Sequence, residues 1–367
     1  PGLSDILHSA FPAASSDPDL SVVVSSKGVA SVPVPKAFLS LPPEQVTRAT
    51  AQLAWTLRQV DGVYSVLLTV DGVPVPIAGG ENSIPVSDVQ EFNALTGKSE
   101  IWGLREGRLI KVHERSVVAT AGPLGRKSSP WSSLAVNERN HQVAVVSADG
   151  HNLSLAGSQD NTEPIRQVLT GIDLLPPSYD ALGNLWVIDR NRGKAVAWVI
   201  VNGHPQAVTI PGVTNKLVSA AEVSGEGSRL AVLVESGDQR LEVINLLRDQ
   251  SGAFVGPGKR RTIQLPLTAA AEGPFQDLGW RDSDTITLLS STSGPARISY
   301  LSSDGSPADP TIIPTSPLFT PVALLVISPD ATLPMALSSR RGDLFTMTST
   351  GGWKLWSGDI AIPSYSR

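Results

Sequence analysis

The chain has 367 residues, a net charge of −5, 41% apolar residues, 17% charged residues and no cysteine. Such a length allows two or three domains of roughly 100–200 residues, each with its own core. The missing cysteine excludes disulfides, thiol nucleophiles and thiolate-bound zinc, and without a basic excess nucleic-acid binding by phosphate neutralisation is disfavoured.

In chain order, Ser4 can cap a short helix with Ile6, Leu7, Ala10 and Phe11 on one face, stopped by Pro12. The chain opens on Pro1 rather than Met, so it is expected to be a fragment of a longer polypeptide, with any targeting segment upstream. Strand-like runs follow at LSVVVS (20–25), VASVPV (29–34) and VYSVLLTV (63–70). Between them, residues 43–60 place Val46, Ala49, Leu53, Leu57 and Val60 at helical spacing after a Pro-Pro start. Asp71-Gly72 predicts a tight hairpin into VPVPI. Residues 1–78 are thus expected to form a small α+β domain. The polar stretch 79–100 reads as a linker.

Beyond residue 100 no long helical period recurs. Instead a unit of short apolar strands separated by Gly/Asn/Asp turns repeats at 132–156, 177–201, 218–246, 276–301 and 322–348, most copies being followed by one more strand. Four strands per unit at a period of roughly 40–50 residues is the signature of propeller blades. Residues 101–120 supply outer strands of one further blade, and AIPSY at 361–365, echoing Pro-Ser-Tyr at 177–179, is expected to supply its inner strand. The overall expectation is a mainly β chain ending in a propeller over 101–367. It has six blades, or five if 101–120 is only a linker hairpin. The longest apolar run, PVALLVI at 321–327, is far too short to span a bilayer.

No catalytic motif emerges. His8, His113, His141, His151 and His204 show no metal-ligand spacing, and no G-x-S-x-G elbow occurs. In GAFVGPGKR (252–260) the first glycine is one position too early for a phosphate loop, and Arg260 stands where a Ser or Thr must reach magnesium. The stretch reads as a protruding basic hairpin loop in which Lys259, Arg260 and Arg261 could meet an acidic partner. Asp282 and Asp284 lack the remaining ligand positions of a calcium loop and suit a turn. Asp180 and Asp189 in YDALGNLWVIDR (179–190) are separated by a turn and a strand, so they suit turn and blade-edge roles rather than a carboxylate pair. Trp186, Trp198, Trp280, Trp353 and Trp356 are expected between blades. Asn152-Leu153-Ser154 matches a glycosylation sequon. On the otherwise small or apolar inner strands, Glu222 and Asp277 are the ionisable exceptions.

Two resemblances follow. GLSDILHSAFP (2–12), SVVVSSKGVASVPVP (21–35) and AQLAWTLRQVDGVYSVLLTVDGVPV (51–75) resemble a GerMN domain. SSLAVN (132–137), PSYDALGNLWVIDR (177–190), VSGEGSRLAVLV (223–234), DLGW (277–280) and GGWKLWSG (351–358) resemble, in order, the propeller of the LpqB-type lipoproteins of actinobacteria. This resemblance implies an exported protein, tethered to the outer face of the cell membrane by a lipidated N-terminal Cys that this chain does not contain. It also implies a partner, the extracytoplasmic domain of a two-component sensor histidine kinase, with effects on cell-envelope and division functions, no catalytic residues and no cofactor. It leaves room for a wall-derived ligand. The alternative is a propeller enzyme or binding protein acting on cell-wall glycans, which needs ionisable groups converging on the central channel.

Overall fold

In the computed structural model the described residues are 6, 9–12, 21–89, 100–113, 116–159, 164–235, 239–249, 251–265, 274–290, 297–306, 313–314, 322–328, 330 and 332–367. Half of the short helix expected over 4–11, with His8, lies outside them, and the described Ser9, Ala10 and Phe11 are not helical. The chain divides into two compact units, Leu7–Thr96, and Gly97–Arg367 together with Pro1–Ile6.

The first unit is a five-stranded sheet covered by one helix. Its strands are β1 (Val23–Val24), β2 (Val29–Pro33), β3 (Ser65–Val70), β4 (Val73–Pro74) and β5 (Ile84–Pro85). Strands β2 and β3 are parallel, so a crossover must join them, and α1 (Pro43–Leu57) provides it. Pro43 starts α1, where its missing N–H costs nothing. The helix buries Val46, Ala49, Thr50, Ala51 and Ala54, small residues that let it lie close to the sheet. Leu53 and Leu57 only partly join this core, and Val60, expected on the helical face, lies past the helix end and is 49% exposed. Asp71 and Gly72 both take positive φ, 49° and 79°, between the paired Val70 and Val73, as a two-residue hairpin turn requires. The expected linker is partly structural: Ile84–Pro85 pairs with β3, and Val89 is fully buried in the same core. Its polar composition hid two short apolar anchors.

The second unit is built of six four-stranded antiparallel sheets. We number the blades I–VI by their inner strands, Trp131–Asn137, Ser178–Tyr179, Leu217–Val223, Phe275–Trp280, Val322–Val326 and Ala361–Tyr365. In blade VI the inner strand comes from the end of the chain and pairs Ser364 with Trp102 and Tyr365 with Ile101, so strands from both ends of the unit share one sheet. Ser366 continues as a parallel bridge to Val136 of blade I. The reading of 101–120 as a separate linker hairpin, and with it the five-blade count, is thereby excluded.

Apolar clusters lie between neighbouring blades. One joins Trp186, Ile188 and Val199 of blade II to Val218, Leu230 and Ile244 of blade III. Trp186 meets Phe254 of blade III edge-on at 4.9 Å, and the fully buried Trp280 of blade IV donates its Nε1–H to the Glu222 carbonyl of blade III at 3.0 Å. Polar staples tie other seams. The Ser178 hydroxyl accepts the Val223 N–H, and Gln239 both donates to and accepts from the backbone of Phe275. These polar groups thus each find a partner in the next blade, which avoids the cost of orphaned donors at those seams.

Candidate functional site

The six inner strands enclose a cavity of about 990 Å³ on the propeller axis. Residues near the strand starts, Ser132, Ser219 and Gln276, line one end, where Arg105, Arg340, Arg341, Glu106 and Asp359 form a charged rim. The strand ends form the other. There Arg367, which follows the inner strand of blade VI, reaches to blade III, donating to the Val223 carbonyl at 2.8 Å and pairing with the Glu222 carboxylate. Burial pushes the Arg367 guanidinium down to about 10, against the attraction of Asp180. The pair sits at this end with its charge satisfied inside the protein.

Asp277 lines the wall one blade further on. Its Oδ1 accepts the Leu278 N–H at 2.9 Å, and its Oδ2 accepts the Leu325 N–H of blade V at 2.8 Å. Burial pushes its carboxyl up to about 7, with the two backbone donors opposing the shift. The sequence singled out Glu222 and Asp277, and both border the cavity. It did not single out Arg367.

The remaining candidates lie elsewhere. Asp180 is 1% exposed and holds a turn: it accepts the N–H groups of Leu182 and Asn184, the Asn184 amide and the Trp186 indole, and pairs with Arg248 of blade III at 2.5 Å. Asp189 accepts the N–H groups of Ile172, Asp173 and Asn191. Both are structural. Asp282 accepts the N–H groups of Asp284 and Thr285, closing the turn before the second strand of blade IV. His141 and His151 sit at turns of blade I and His204 begins the outer strand of blade II; none of the three lines the cavity. Among the described residues no group of three His, Asp or Glu side chains is arranged to hold a metal ion. The sequon is inside a strand, with Leu153 fully buried and Ser154 6% exposed.

Lys259, Arg260 and Arg261 are not in a loop. They belong to the ten-residue outer strand Phe254–Ile263 of blade III, which pairs with Arg240–Arg248. Two register irregularities, at Ile244/Leu246 and Leu247/Arg248, absorb Pro257 and its neighbouring glycines. All three basic residues are exposed. Arg260 lies 3.6 Å from the fully buried Glu242 carboxylate, and Arg261 donates to the Asp304 carbonyl. Among the described residues no further strand pairs with it, so it forms a sheet edge that carries positively charged side chains.

The fold and its axial cavity define a six-bladed propeller protein with a separate small α+β domain. Residues 107–365 match the family model described as the lipoprotein LpqB beta-propeller domain, and residues 3–76 match the one described as sporulation and spore germination. The chain belongs to the LpqB lipoprotein family. It is 24% identical to lipoprotein LpqB of Thermobifida fusca, over 82% of this chain and 53% of that protein. It is 27% identical to lipoprotein LpqB of Streptomyces coelicolor, over 63% of this chain and 38% of that one. The chain thus spans about half the length of the first of these relatives and less of the second. Among solved structures, TolB from Acinetobacter baumannii superposes with a TM-score of 0.49 at 13% identity, covering 85% of each chain. Among the described residues no helix is long and apolar enough to cross a membrane.

Proposed function

We propose that this chain is the extracytoplasmic part of a non-enzymatic lipoprotein. It is anchored to the outer face of the cell membrane by an N-terminal lipid, and it binds and modulates the sensor domain of a two-component histidine kinase. The observation that carries the reading is the order of matched modules, a germination-type domain at 3–76 followed by the LpqB propeller at 107–365. The chemistry of the axis supports it. Of the two ionisable groups that interrupt the inner strands, Glu222 is engaged by Arg367, which leaves Asp277 without a free ionisable partner on those strands for a general acid–base pair.

The contact we propose is the edge strand Phe254–Ile263, where Lys259, Arg260 and Arg261 present charge to an acidic partner segment. Modulation then requires that the protein bind one signalling state of the kinase more tightly than the other, since equal affinity shifts nothing. Deleting the gene and reading the kinase's phosphorylated response regulator tests this. A changed output restored by the wild-type gene, but not by a Lys259→Glu/Arg260→Glu/Arg261→Glu variant, is expected. An output unchanged by deletion overturns the reading.

A further inference from the structure

On the inner strands that line the axial cavity, the described residues include one carboxylate with no cationic partner. Glu222 has Arg367. Asp277 has only two peptide N–H groups, and among the described residues no lysine, arginine or histidine pairs with it. Asp277 is half-buried, and burial raises its proton affinity. Each of its oxygens keeps a further lone-pair site after accepting one N–H. The space beside it, about 990 Å³, is of the size that holds small organic ligands. Its wall mixes hydroxyls, among them Ser219 and Ser338, with small apolar groups such as Ala220 and Ala323.

We propose that the axial cavity binds a small organic ammonium compound, with Asp277 as the counter-ion of its ammonium group. The ammonium supplies the positive charge that the fold provides for Glu222 and withholds from Asp277. It donates to the free lone pairs of the Asp277 oxygens, while the serine hydroxyls take its remaining N–H groups. With Arg367 at the strand-end side, the ligand enters past the rim of Arg105, Arg340 and Arg341. The site is independent of the kinase partnership, because it lies on the axis and the proposed partner contact lies on the outer edge of blade III.

Among the described residues, the charged groups around Asp277 are Glu222 and Arg367 from blades III and VI, and Arg105, Glu106, Arg340, Arg341 and Asp359 at the rim, and no histidine lines the cavity. Asp277 is therefore the group that responds between pH 6 and 8. A cation binds its ionised form, so affinity falls as pH drops through about 7.

The test is calorimetric titration of the full chain with cadaverine and with L-lysine, using glutarate as the anionic control. Saturable binding of the amines is expected, about tenfold weaker at pH 6 than at pH 8, with proton release at pH 7. Asp277→Asn should weaken binding at least tenfold. Because an asparagine cannot accept both backbone N–H groups, that variant could fail to fold, and the proton release of the wild-type protein then decides alone. No saturable amine binding at millimolar concentration and pH 8 overturns the proposal. So does amine binding with no pH dependence and no proton release, or glutarate binding that displaces the amines.

Discussion

Asp180→Ala should be among the most damaging single substitutions in the propeller. The carboxylate is 1% exposed and gathers the Leu182 and Asn184 N–H groups, the Asn184 amide, the Trp186 indole and Arg248. Its loss leaves the Arg248 guanidinium, with a side chain only 13% exposed, facing three carbonyl bonds to Gly227 and Gly252 and no counter-charge. Breaking a buried pair in this way costs about 3–5 kcal/mol. At roughly 2–4 °C per kcal/mol for a unit of this size, the melting temperature should fall by roughly 6–20 °C. Scanning calorimetry of the full chain, with Trp fluorescence to follow the blade II–III seam, measures it. Asp180→Ala/Arg248→Met removes both charges and should be markedly more stable than Asp180→Ala alone, a non-additive cycle. A loss below about 1 kcal/mol in the single variant, or strictly additive losses in the pair, refutes the assignment of Asp180 as the electrostatic anchor of that seam.

Truncation after Ile360 removes the inner strand of blade VI and the 6%-exposed Tyr365, whose hydroxyl donates to the Pro334 carbonyl of blade V. The loss should exceed the about 4–5 kcal/mol that bounds most point mutations, abolishing the cooperative thermal transition of the propeller; a retained transition contradicts the shared blade. Gly72→Ala meets open space but must hold φ near +79°. It should therefore destabilise the first unit by about 1–2 kcal/mol, read by chemical denaturation. Asp277 has its folded carboxyl raised to about 7 from 3.8, so the folded state binds more protons than the unfolded one between those values. Its contribution to stability is therefore present at low pH and lost as pH rises from about 4 to about 7. Wild-type stability should fall across that window relative to Asp277→Asn, as denaturation midpoints at pH 4.5 and 7.5 would show.

The blades were legible because each repeats an apolar strand, a Gly/Asn/Asp turn and a second apolar strand, and local chemistry is enough to mark them. The closing strand was legible from its likeness to Pro-Ser-Tyr at 177–179 rather than from propensity. The outer strand of blade III was misread because Gly252, Gly256, Pro257 and Gly258 are loop signals, whereas an edge strand with irregular register tolerates them. Val89 was missed because one buried apolar residue in a polar stretch has no period to reveal it. At the site, Glu222 and Asp277 stood out as charges on apolar strands. Arg367 did not, since its partner lies 145 residues away and only closure of the ring brings them together. That Asp277 lacks a balancing cation is likewise a fact of three-dimensional neighbourhood, visible only once blades IV and V are side by side.

We propose that this protein recognises the external sensor domain of a histidine kinase. The most direct measurement is biolayer interferometry of that domain against the immobilised full chain, repeated as salt is raised. Saturable binding is expected, weakening with ionic strength and with reversal of Lys259, Arg260 and Arg261 to Glu, because charge at an exposed edge is screened by salt. Absence of saturable binding by the wild-type chain, with both proteins folded and monodisperse, would contradict it.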